Sequence, residues 1–267
     1  MSKELSFKRH LGAIWRKRLQ GFHMVKELDF CELDSLLFME KKKEALLKNT
    51  RAFLSDLPYS HAVLTGSKGC GKSALVKAIF THFSKEKDSK LRIISSDNLE
   101  DLPYVIDLLR ELPYYFILFL DDLSFSPNDA SYKALKPLLE GSIEAAPKNI
   151  VIYATSNYRQ IALGSVDENE RIDMHDLGDE RLALRERFGL WLSFYHYSMD
   201  EFYSFVEFYY EQTLNLPCFA GKKGKELRKN KDKDLEEVKA FALAFANERG
   251  SRSPRLAKQF CELFLQE

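Results

Sequence analysis

An eight-residue glycine-rich segment, set between an apolar run and a helical run, constrains this chain more than any other feature. It reads Gly66-Ser67-Lys68-Gly69-Cys70-Gly71-Lys72-Ser73, follows Ala62-Val63-Leu64 and precedes a helical run from Ala74 to Phe83. Glycine lets the backbone wrap around an anion without a Cβ in the way, and the first N–H groups of a helix point toward an anion. Strand, loop and helix in this order predict a loop that binds the phosphates of a nucleoside triphosphate. A glycine-rich turn that matches by chance is the alternative, and the order of the three elements argues against it.

The same segment, which we name the phosphate loop (Gly66 to Ser73), also predicts a metal site. Lys72 is placed to meet the β- and γ-phosphates and is expected to take part in catalysis. The Ser73 hydroxyl is placed to bind Mg²⁺. The predicted nucleotide contacts within and beside the loop are Gly66, Ser67, Lys68, Gly69, Cys70, Gly71, Lys72, Ser73 and Ala74.

Composition and charge narrow the class of protein. The 267 residues suffice for one large domain, or for one domain with a small one beside it. Lys plus Arg equals Asp plus Glu at 40 each, so no overall charge draws the chain toward nucleic acid or a membrane surface. Four cysteines without paired spacing indicate neither a zinc site nor disulfides, and they predict a cytoplasmic protein. No apolar stretch reaches the roughly 20 residues of a membrane span, so no membrane partner is expected.

Apolar runs alternate with helical runs through most of the chain. The predicted strands are Ala62 to Thr65, Leu91 to Ser95, Phe116 to Leu120, Ile150 to Thr155 and Leu190 to Phe194. This alternation predicts an α/β fold with a parallel five-stranded sheet flanked by helices. After Met199 the pattern is helical only, which predicts a small all-α lid domain. The expected domains are a mixed helical lead-in at 1–30, an α/β nucleotide-binding domain at 31–198 and the lid at 199–267.

Two carboxylates end the third predicted strand. Asp121 and Asp122 follow Phe116 to Leu120, and ligands bind at the carboxyl edge of open α/β sheets. Asp121 is expected to hold Mg²⁺, through water, and Asp122 to polarise an attacking water. An ordinary acidic cap on the strand is the alternative. Asn157, which ends the next strand, is expected to reach the γ-phosphate or the same water.

Arginines far from the loop in sequence are candidates for contact with the phosphates. Arg187, in Glu186-Arg187-Phe188-Gly189, is placed to neutralise charge on the phosphoryl group in a neighbouring subunit's site, and Arg185 is the alternative for this role. Arg255 opens the last helix, where it would contact the γ-phosphate from the lid. From spacing alone, surface ion pairs explain Arg185 and Arg187 better, and Arg255 in isolation points neither way.

Taken in order, these features resemble those of the AAA+ ATPases. Asp121-Asp122 looks like the Walker B motif and Asn157 looks like sensor 1, after the Walker A pattern of the phosphate loop. Arg187 resembles the arginine finger of Holliday-junction branch-migration motors and related members, and Arg255 resembles sensor 2. The resemblance implies ATP and Mg²⁺ as cofactors, ATP hydrolysis, and a homo-oligomer whose subunits share active sites.

More narrowly, the chain resembles a bacterial AAA+ family classed as a domain of unknown function. The segments that carry this resemblance include Leu33-Asp34-Ser35-Leu36-Leu37, Asp121-Asp122-Leu123-Ser124-Phe125, Tyr132-Lys133-Ala134-Leu135-Lys136, Tyr153-Ala154-Thr155-Ser156-Asn157 and Glu186-Arg187-Phe188-Gly189-Leu190. Phe38 and Met39 depart from the wider AAA+ pattern beside the expected adenine pocket, and Cys70 stands where threonine is usual. Asp122 stands where many members have glutamate. Because aspartate is one methylene shorter, its reach to the water is poorer, and slow turnover is expected.

The resemblance implies an ATP-driven machine that moves a protein or nucleic-acid partner when loss of the γ-phosphate releases the lid and the finger. A slow or non-hydrolysing switch, which recruits a partner in its ATP state, is the second hypothesis. A small-molecule phosphotransferase is a weaker third, because such kinases need no sensor asparagine and no lid of this kind. Arg16-Lys17-Arg18 and the segment from Lys222 to Lys233 are the basic candidates for nucleic-acid contact, and neither is interleaved with aromatic residues.

Overall fold

The computed structural model describes residues 3–96, 98–123, 135, 139, 145–157, 187–216 and 231–265. Arg185 lies outside the described residues, as do Ser124, Phe125, Glu186 and the segment 217–230.

The chain divides into two compact units. The larger unit comprises Met1–Gly66 and Lys72–Phe194, and the smaller unit comprises Ser67–Gly71 and Tyr195–Glu267. The middle of the phosphate loop therefore belongs to the smaller unit, while both of its ends belong to the larger unit.

A seven-stranded sheet forms the larger unit. Its strands are β1 (Gly12–Arg16), β2 (Gly21–Met24), β3 (Ala62–Gly66), β4 (Leu91–Ser96), β5 (Tyr115–Leu120), β6 (Ile150–Ser156) and β7 (Leu190–Phe194). Their order is β2-β1-β4-β5-β6-β3-β7, and every neighbouring pair except β1 and β2 is parallel. The five predicted strands are all present. Every residue of β3 and β6 is buried, as a parallel strand with both faces covered requires.

The sheet has two more strands than the five predicted, because the segment predicted as a mixed helical lead-in forms a hairpin. Ala13 and Trp15 alternate into the core at 2% and 1% exposure, and Arg16 pairs with Gly21 across the hairpin. The indole Nε1 of Trp15 donates to Asp101 Oδ2 at 2.9 Å. Alternation over so few residues does not distinguish a strand from a helical segment. Pairing of β1 with β4, distant in sequence, determines the strand.

The helices are α1 (Lys3–Arg9), α2 (Glu40–Leu54), α3 (Lys72–Ser84) and α4 (Leu102–Arg110) in the larger unit, and α5 (Met199–Leu214), α6 (Lys231–Arg249) and α7 (Pro254–Phe264) in the smaller unit. In α4 the buried residues Leu102, Val105, Ile106 and Leu109 follow the spacing of one helical face, which packs against the sheet. Within the described ranges, the helices are too short or too polar to cross a membrane.

His61, directly before β3, takes part in the sheet through its side chain. Its Nδ1 accepts a hydrogen bond from the Ile152 N–H of β6 at 3.1 Å. Burial lowers the pKa of the imidazole from 6.5 to about 4. The ring is therefore neutral at pH 7, and its unprotonated nitrogen provides the acceptor.

The helices of the smaller unit are fixed by local caps and by packing. Ser198 Oγ accepts from the Glu201 N–H at 3.2 Å, and the Glu201 carboxylate accepts from the Ser198 N–H at 2.7 Å, which together form a capping box at the start of α5. Cys261 of α7 donates through Sγ to the Val206 carbonyl of α5 at 3.4 Å. Burial raises the pKa of this thiol to about 12, so it stays protonated.

Candidate functional site

The phosphate loop joins the end of β3 to the start of α3, in the order that the sequence predicts. Gly66, Gly69 and Gly71 have φ of 146°, 82° and 99°, a region that side chains disfavour. A Cβ at Gly66 would also collide with the Phe194 carbonyl oxygen in β7. These glycines set the path of the loop, and the first N–H groups of α3 have no carbonyl partners within the helix. Such a helix start favours an anion.

Lys72, the first residue of α3, is buried at 6% exposure. Its Nζ donates to the Gly66 carbonyl oxygen at 2.7 Å and to Asn157 Oδ1 at 3.0 Å. A buried ammonium needs such acceptors because it has lost its water. The predicted phosphate lysine is thus held between the carboxyl ends of β3 and β6, two neighbouring strands.

Asp121, directly after β5, accepts two hydrogen bonds at one carboxylate oxygen. The Ser73 hydroxyl of α3 donates to Oδ1 at 2.6 Å, and the Thr155 hydroxyl of β6 donates to the same atom at 2.5 Å. The two residues predicted to hold Mg²⁺ are therefore in direct contact. A hydroxyl and a carboxylate are oxygen donors of the kind that Mg²⁺ binds together with phosphates.

Asp122 and Asn157 are brought together as the sequence predicts. The Asn157 amide donates to Asp122 Oδ1. Asp122 has φ of 58°, in the left-handed region that aspartate tolerates better than most residues. Its N–H donates to Thr155 Oγ1 at 2.9 Å, and this bond holds the turn after β5 against β6. Lys72, Asn157 and Asp122 consequently form one hydrogen-bonded chain.

Thr155 is a residue of the candidate site that sequence reasoning missed. Its hydroxyl donates to Asp121 and accepts from the Asp122 backbone, while its carbonyl accepts from the Leu123 N–H at 2.7 Å. The residue is 1% exposed. A threonine two residues before Asn157, near the end of a mostly apolar strand, was the available signal, because a buried hydroxyl needs a partner.

The candidate arginines that the structure describes are Arg187 and Arg255. Arg187 is half-buried and directly precedes Phe188, which is 1% exposed and part of the hydrophobic core. Arg255 is exposed in the first turn of α7. Neither arginine takes part in the hydrogen bonds described above.

Within the smaller unit, Gly69 lies close to the start of α7. A Cβ added at Gly69 would be 2.9 Å from Ser253 Oγ and 3.4 Å from Arg255 Cβ. Ser253 caps the helix, since its side chain accepts from the Leu256 N–H at 3.3 Å. The backbone of Gly69 therefore lies next to the Cβ of Arg255, the residue expected to contact the γ-phosphate from the lid.

This protein is similar to the AAA+ ATPases. It has a mostly parallel sheet in an α/β fold and a phosphate loop after one strand. A carboxylate pair follows a second strand, and an asparagine follows that strand's neighbour. The chain belongs to the family described as "Protein of unknown function (DUF815)", which matches residues 8–267. This agrees with the resemblance, drawn from the sequence, to an AAA+ family of unknown function.

Individual known proteins are more distant. The Holliday junction branch migration complex subunit RuvB of Phytoplasma mali (strain AT) is 26% identical over 141 residues, which are 53% of this chain and 40% of RuvB. The C. elegans PCH-2 structure is 12% identical with a TM-score of 0.50, over 88% of this chain and 72% of PCH-2. The Thermotoga maritima RuvB branch migration motor is 14% identical with a TM-score of 0.43, over 87% of this chain and 71% of RuvB. At 12% identity the PCH-2 structure shows similarity of fold alone.

Proposed function

We propose that this protein binds ATP with Mg²⁺ and hydrolyses it slowly, at a site shared between subunits of a homo-oligomer, to drive a conformational change in a protein or nucleic-acid partner. The hydrogen-bonded chain from Lys72 through Asn157 to Asp122, beside the Ser73–Asp121 pair, carries the proposal. Three strand ends converge on it. An isolated glycine-rich turn or an ordinary acidic cap gives no reason for this convergence.

Phosphate and metal binding are assigned to the phosphate loop and Asp121. The backbone of Gly69 to Ala74 would hold the phosphates, with Lys72 as the cation that neutralises them. Ser73 and Asp121 would hold Mg²⁺, which supplies charge neutralisation at the β- and γ-phosphates. The described residues contain no group of three or more His, Cys, Asp or Glu side chains suited to a metal. A two-residue donor set completed by phosphate oxygens is consistent with that finding.

Orientation and activation of water are assigned to Asp122 and Asn157. The Asn157 amide holds the Asp122 carboxylate at the end of β5. Asp122 would accept a proton from the water that attacks the γ-phosphorus, and Asn157 would keep the carboxylate and the γ-phosphate in register. Lys72 would stabilise charge on the transferred group.

An arginine that acts in a neighbouring subunit's site is the reason for proposing a homo-oligomer. Arg187 would reach the phosphates bound by a neighbouring subunit, with Arg185 as the alternative. Arg255 would report the γ-phosphate to α7, and the proximity of Gly69 to this helix supports that role. Loss of the γ-phosphate would then release both arginines and move the parts that carry them.

A switch with little or no turnover is the second candidate function. The observation in its favour is Asp122, a short carboxylate that already accepts the Asn157 amide. If that bond persists with ATP bound, Asp122 has one less oxygen for water, and the ATP state would last long enough to recruit a partner. Nucleotide-dependent partner binding without turnover distinguishes this candidate.

We place this activity in the cytoplasm because of the cysteines. Cys31, Cys70 and Cys261 are free thiols in the structure. Free thiols within a nucleotide-binding loop and a helical core suit a reducing compartment.

The proposal is tested by ATPase rate per subunit as a function of protein concentration, for the wild type and for Arg187→Ala. The wild-type rate per subunit should rise with concentration, and the variant should retain MgATP binding and lose turnover. Arg9→Ala, which removes an exposed arginine at the end of α1, is the matched control and should behave as the wild type. Full activity of Arg187→Ala would remove its finger role, and absence of MgATP binding by the wild type would refute the proposal.

A further inference from the structure

The peptide bond between Cys70 and Gly71 is held by a side chain from the connection between β7 and α5. The Tyr197 hydroxyl donates to the Cys70 carbonyl oxygen at 2.9 Å. Both residues belong to the smaller unit. The Tyr197 ring packs edge-on against Phe205 of α5, with centroids 4.7 Å apart and planes at 82°. Phe205 is 1% exposed, so the ring that presents the hydroxyl is itself fixed by the core of this unit.

The backbone on either side of this peptide permits more than one orientation of it. Gly69 and Gly71 both have positive φ, at 82° and 99°. Because glycine has no Cβ, a rotation of the Cys70–Gly71 peptide that reverses its carbonyl meets little steric resistance at Gly71. A hydrogen bond to the carbonyl from a donor that is itself held by the core therefore favours one direction of the peptide.

The direction of the carbonyl sets the direction of the next N–H. The structure has no cis peptide bonds in the described residues, and in a trans peptide the C=O and N–H bonds point to opposite sides. With its carbonyl on Tyr197, the Cys70–Gly71 peptide aims the Gly71 N–H away from Tyr197. A reversed peptide would instead aim a carbonyl oxygen, a partial negative charge, to that side.

We infer that Tyr197 is a positioning residue for the phosphate loop, which fixes the Cys70–Gly71 peptide so that the Gly71 N–H serves as a phosphate donor. The inference rests on the proposed function for its consequence on nucleotide affinity. The anchoring of the peptide is independent of it. Tyr197 touches the loop backbone and acts through it, so its loss is expected to weaken phosphate binding without removing any phosphate contact directly.

The first measurement is MgATP affinity of Tyr197→Phe. The substitution removes the hydroxyl and keeps the ring on Phe205. Loss of one hydrogen bond to a neutral acceptor should weaken MgATP binding about 5-fold. Tyr195→Phe is the matched control, because Tyr195 lies two residues earlier and is 73% exposed. Its affinity should stay within about twofold of the wild type, since substitutions at exposed positions usually have small effects.

The second measurement needs no nucleotide and uses Cys70 as a reporter of the loop. Cys70 is 2% exposed in the structure. The rate of its alkylation by iodoacetamide, followed by peptide mass spectrometry, should rise severalfold in Tyr197→Phe and not in Tyr195→Phe. Cys261, which is buried in the helical core, provides an internal reference within the same molecules.

The outcomes separate this inference from the proposed function. Faster alkylation of Cys70 alone, with weaker MgATP binding, supports the inference. If the wild type binds no MgATP but Cys70 is still alkylated faster in Tyr197→Phe, the proposed function is refuted. The role of Tyr197 in holding the peptide is then still supported. Unchanged Cys70 alkylation in Tyr197→Phe overturns the inference whatever the affinity, and so does an equal acceleration at Cys261, which indicates general loosening of the unit.

Discussion

The neutral state of His61 predicts a specific dependence of stability on pH. Its Nδ1 accepts from the Ile152 N–H at 3.1 Å, so protonation would remove the acceptor and leave a charge between β3 and β6. Burial lowers its pKa in the folded protein from 6.5 to about 4. Between these two values the unfolded chain binds a proton that the folded chain does not. The contribution of neutral His61 to the free energy of unfolding is therefore fully present above pH 6.5 and is lost as the pH is lowered toward 4.

The magnitude follows from the size of the pKa shift. Each pKa unit corresponds to about 1.4 kcal/mol, which sets an upper bound of about 3.4 kcal/mol on the loss. The residue retains some exposure to solvent, which screens part of the effect, so we expect about 2–3 kcal/mol. Below pH 4 both states are protonated, and this contribution no longer changes.

The assay is urea unfolding of the wild type and of His61→Asn at intervals between pH 7.5 and pH 4. Asparagine keeps an acceptor oxygen near the Ile152 N–H and does not titrate. Since acidic groups titrate in both proteins, the informative quantity is the difference in free energy of unfolding between them. That difference should move against the wild type by about 2–3 kcal/mol as the pH falls. His82→Gln, which removes an exposed histidine, should follow the wild type at every pH.

A difference between wild type and His61→Asn that does not vary with pH would refute the reasoning. It would mean that the unprotonated Nδ1 is not what holds this part of the sheet. A wild type that gains stability relative to the variant at low pH would indicate a folded-state pKa above 6.5, the opposite of what burial produces.

Three further predictions concern the site and its loop. Lys72→Ala should weaken MgATP binding by about 100-fold, since a charged hydrogen-bond donor is lost, whereas Lys48→Ala on the exposed face of α2 should leave it unchanged in the same titration. Thr155→Val preserves shape and removes the hydroxyl that binds Asp121 and the Asp122 N–H in the turn after β5. The kcat should therefore fall about 10- to 100-fold in a steady-state ATPase assay, and an unchanged kcat would show the hydroxyl to be structural only. Gly66→Ala should lower the free energy of unfolding, measured in urea, by about 2 kcal/mol or more, because its Cβ collides with backbone. Gly250→Ala, at φ of 60° with nothing within 4 Å of the added Cβ, should lower it by about 1 kcal/mol. Equal losses in the two variants would contradict the collision.

The sequence predicted what depends on local pattern. Strands such as β5 and β6 are continuous apolar runs longer than four residues, and they are recognisable because both faces are buried. The phosphate loop is recognisable because its glycines are needed at particular φ values. The pairing of Asp121 with Ser73 was predictable once the order of strands was assumed, since the carboxyl ends of parallel strands share one edge.

What the sequence did not reveal depends on contacts between distant residues. The strand β1 is specified by its pairing with β4 and by the bond from Trp15 to Asp101, which spans 86 positions. Tyr197 contacts Cys70, which is 127 positions away, and the local sequence around either residue does not predict the contact. Thr155 reads as one more β-branched strand residue until the neighbouring turn is known. In each case the residue type fits its element, and only the tertiary partner gives it a role.

The hydrogen bonds of Lys72 indicate how the proposed site would respond to nucleotide. Lys72 donates to Asn157 Oδ1, and Asn157 in turn donates to Asp122. A phosphate oxygen carries more negative charge than an amide oxygen and forms stronger bonds with an ammonium, so a γ-phosphate would compete with Asn157 for Lys72. Asn157 would then lose one of its partners and be free to rotate its amide relative to the Asp122 carboxylate. On the proposed function, arrival or loss of the γ-phosphate would therefore reach Asp122 through one asparagine, whose amide loses or regains the Lys72 partner that helps to fix its orientation.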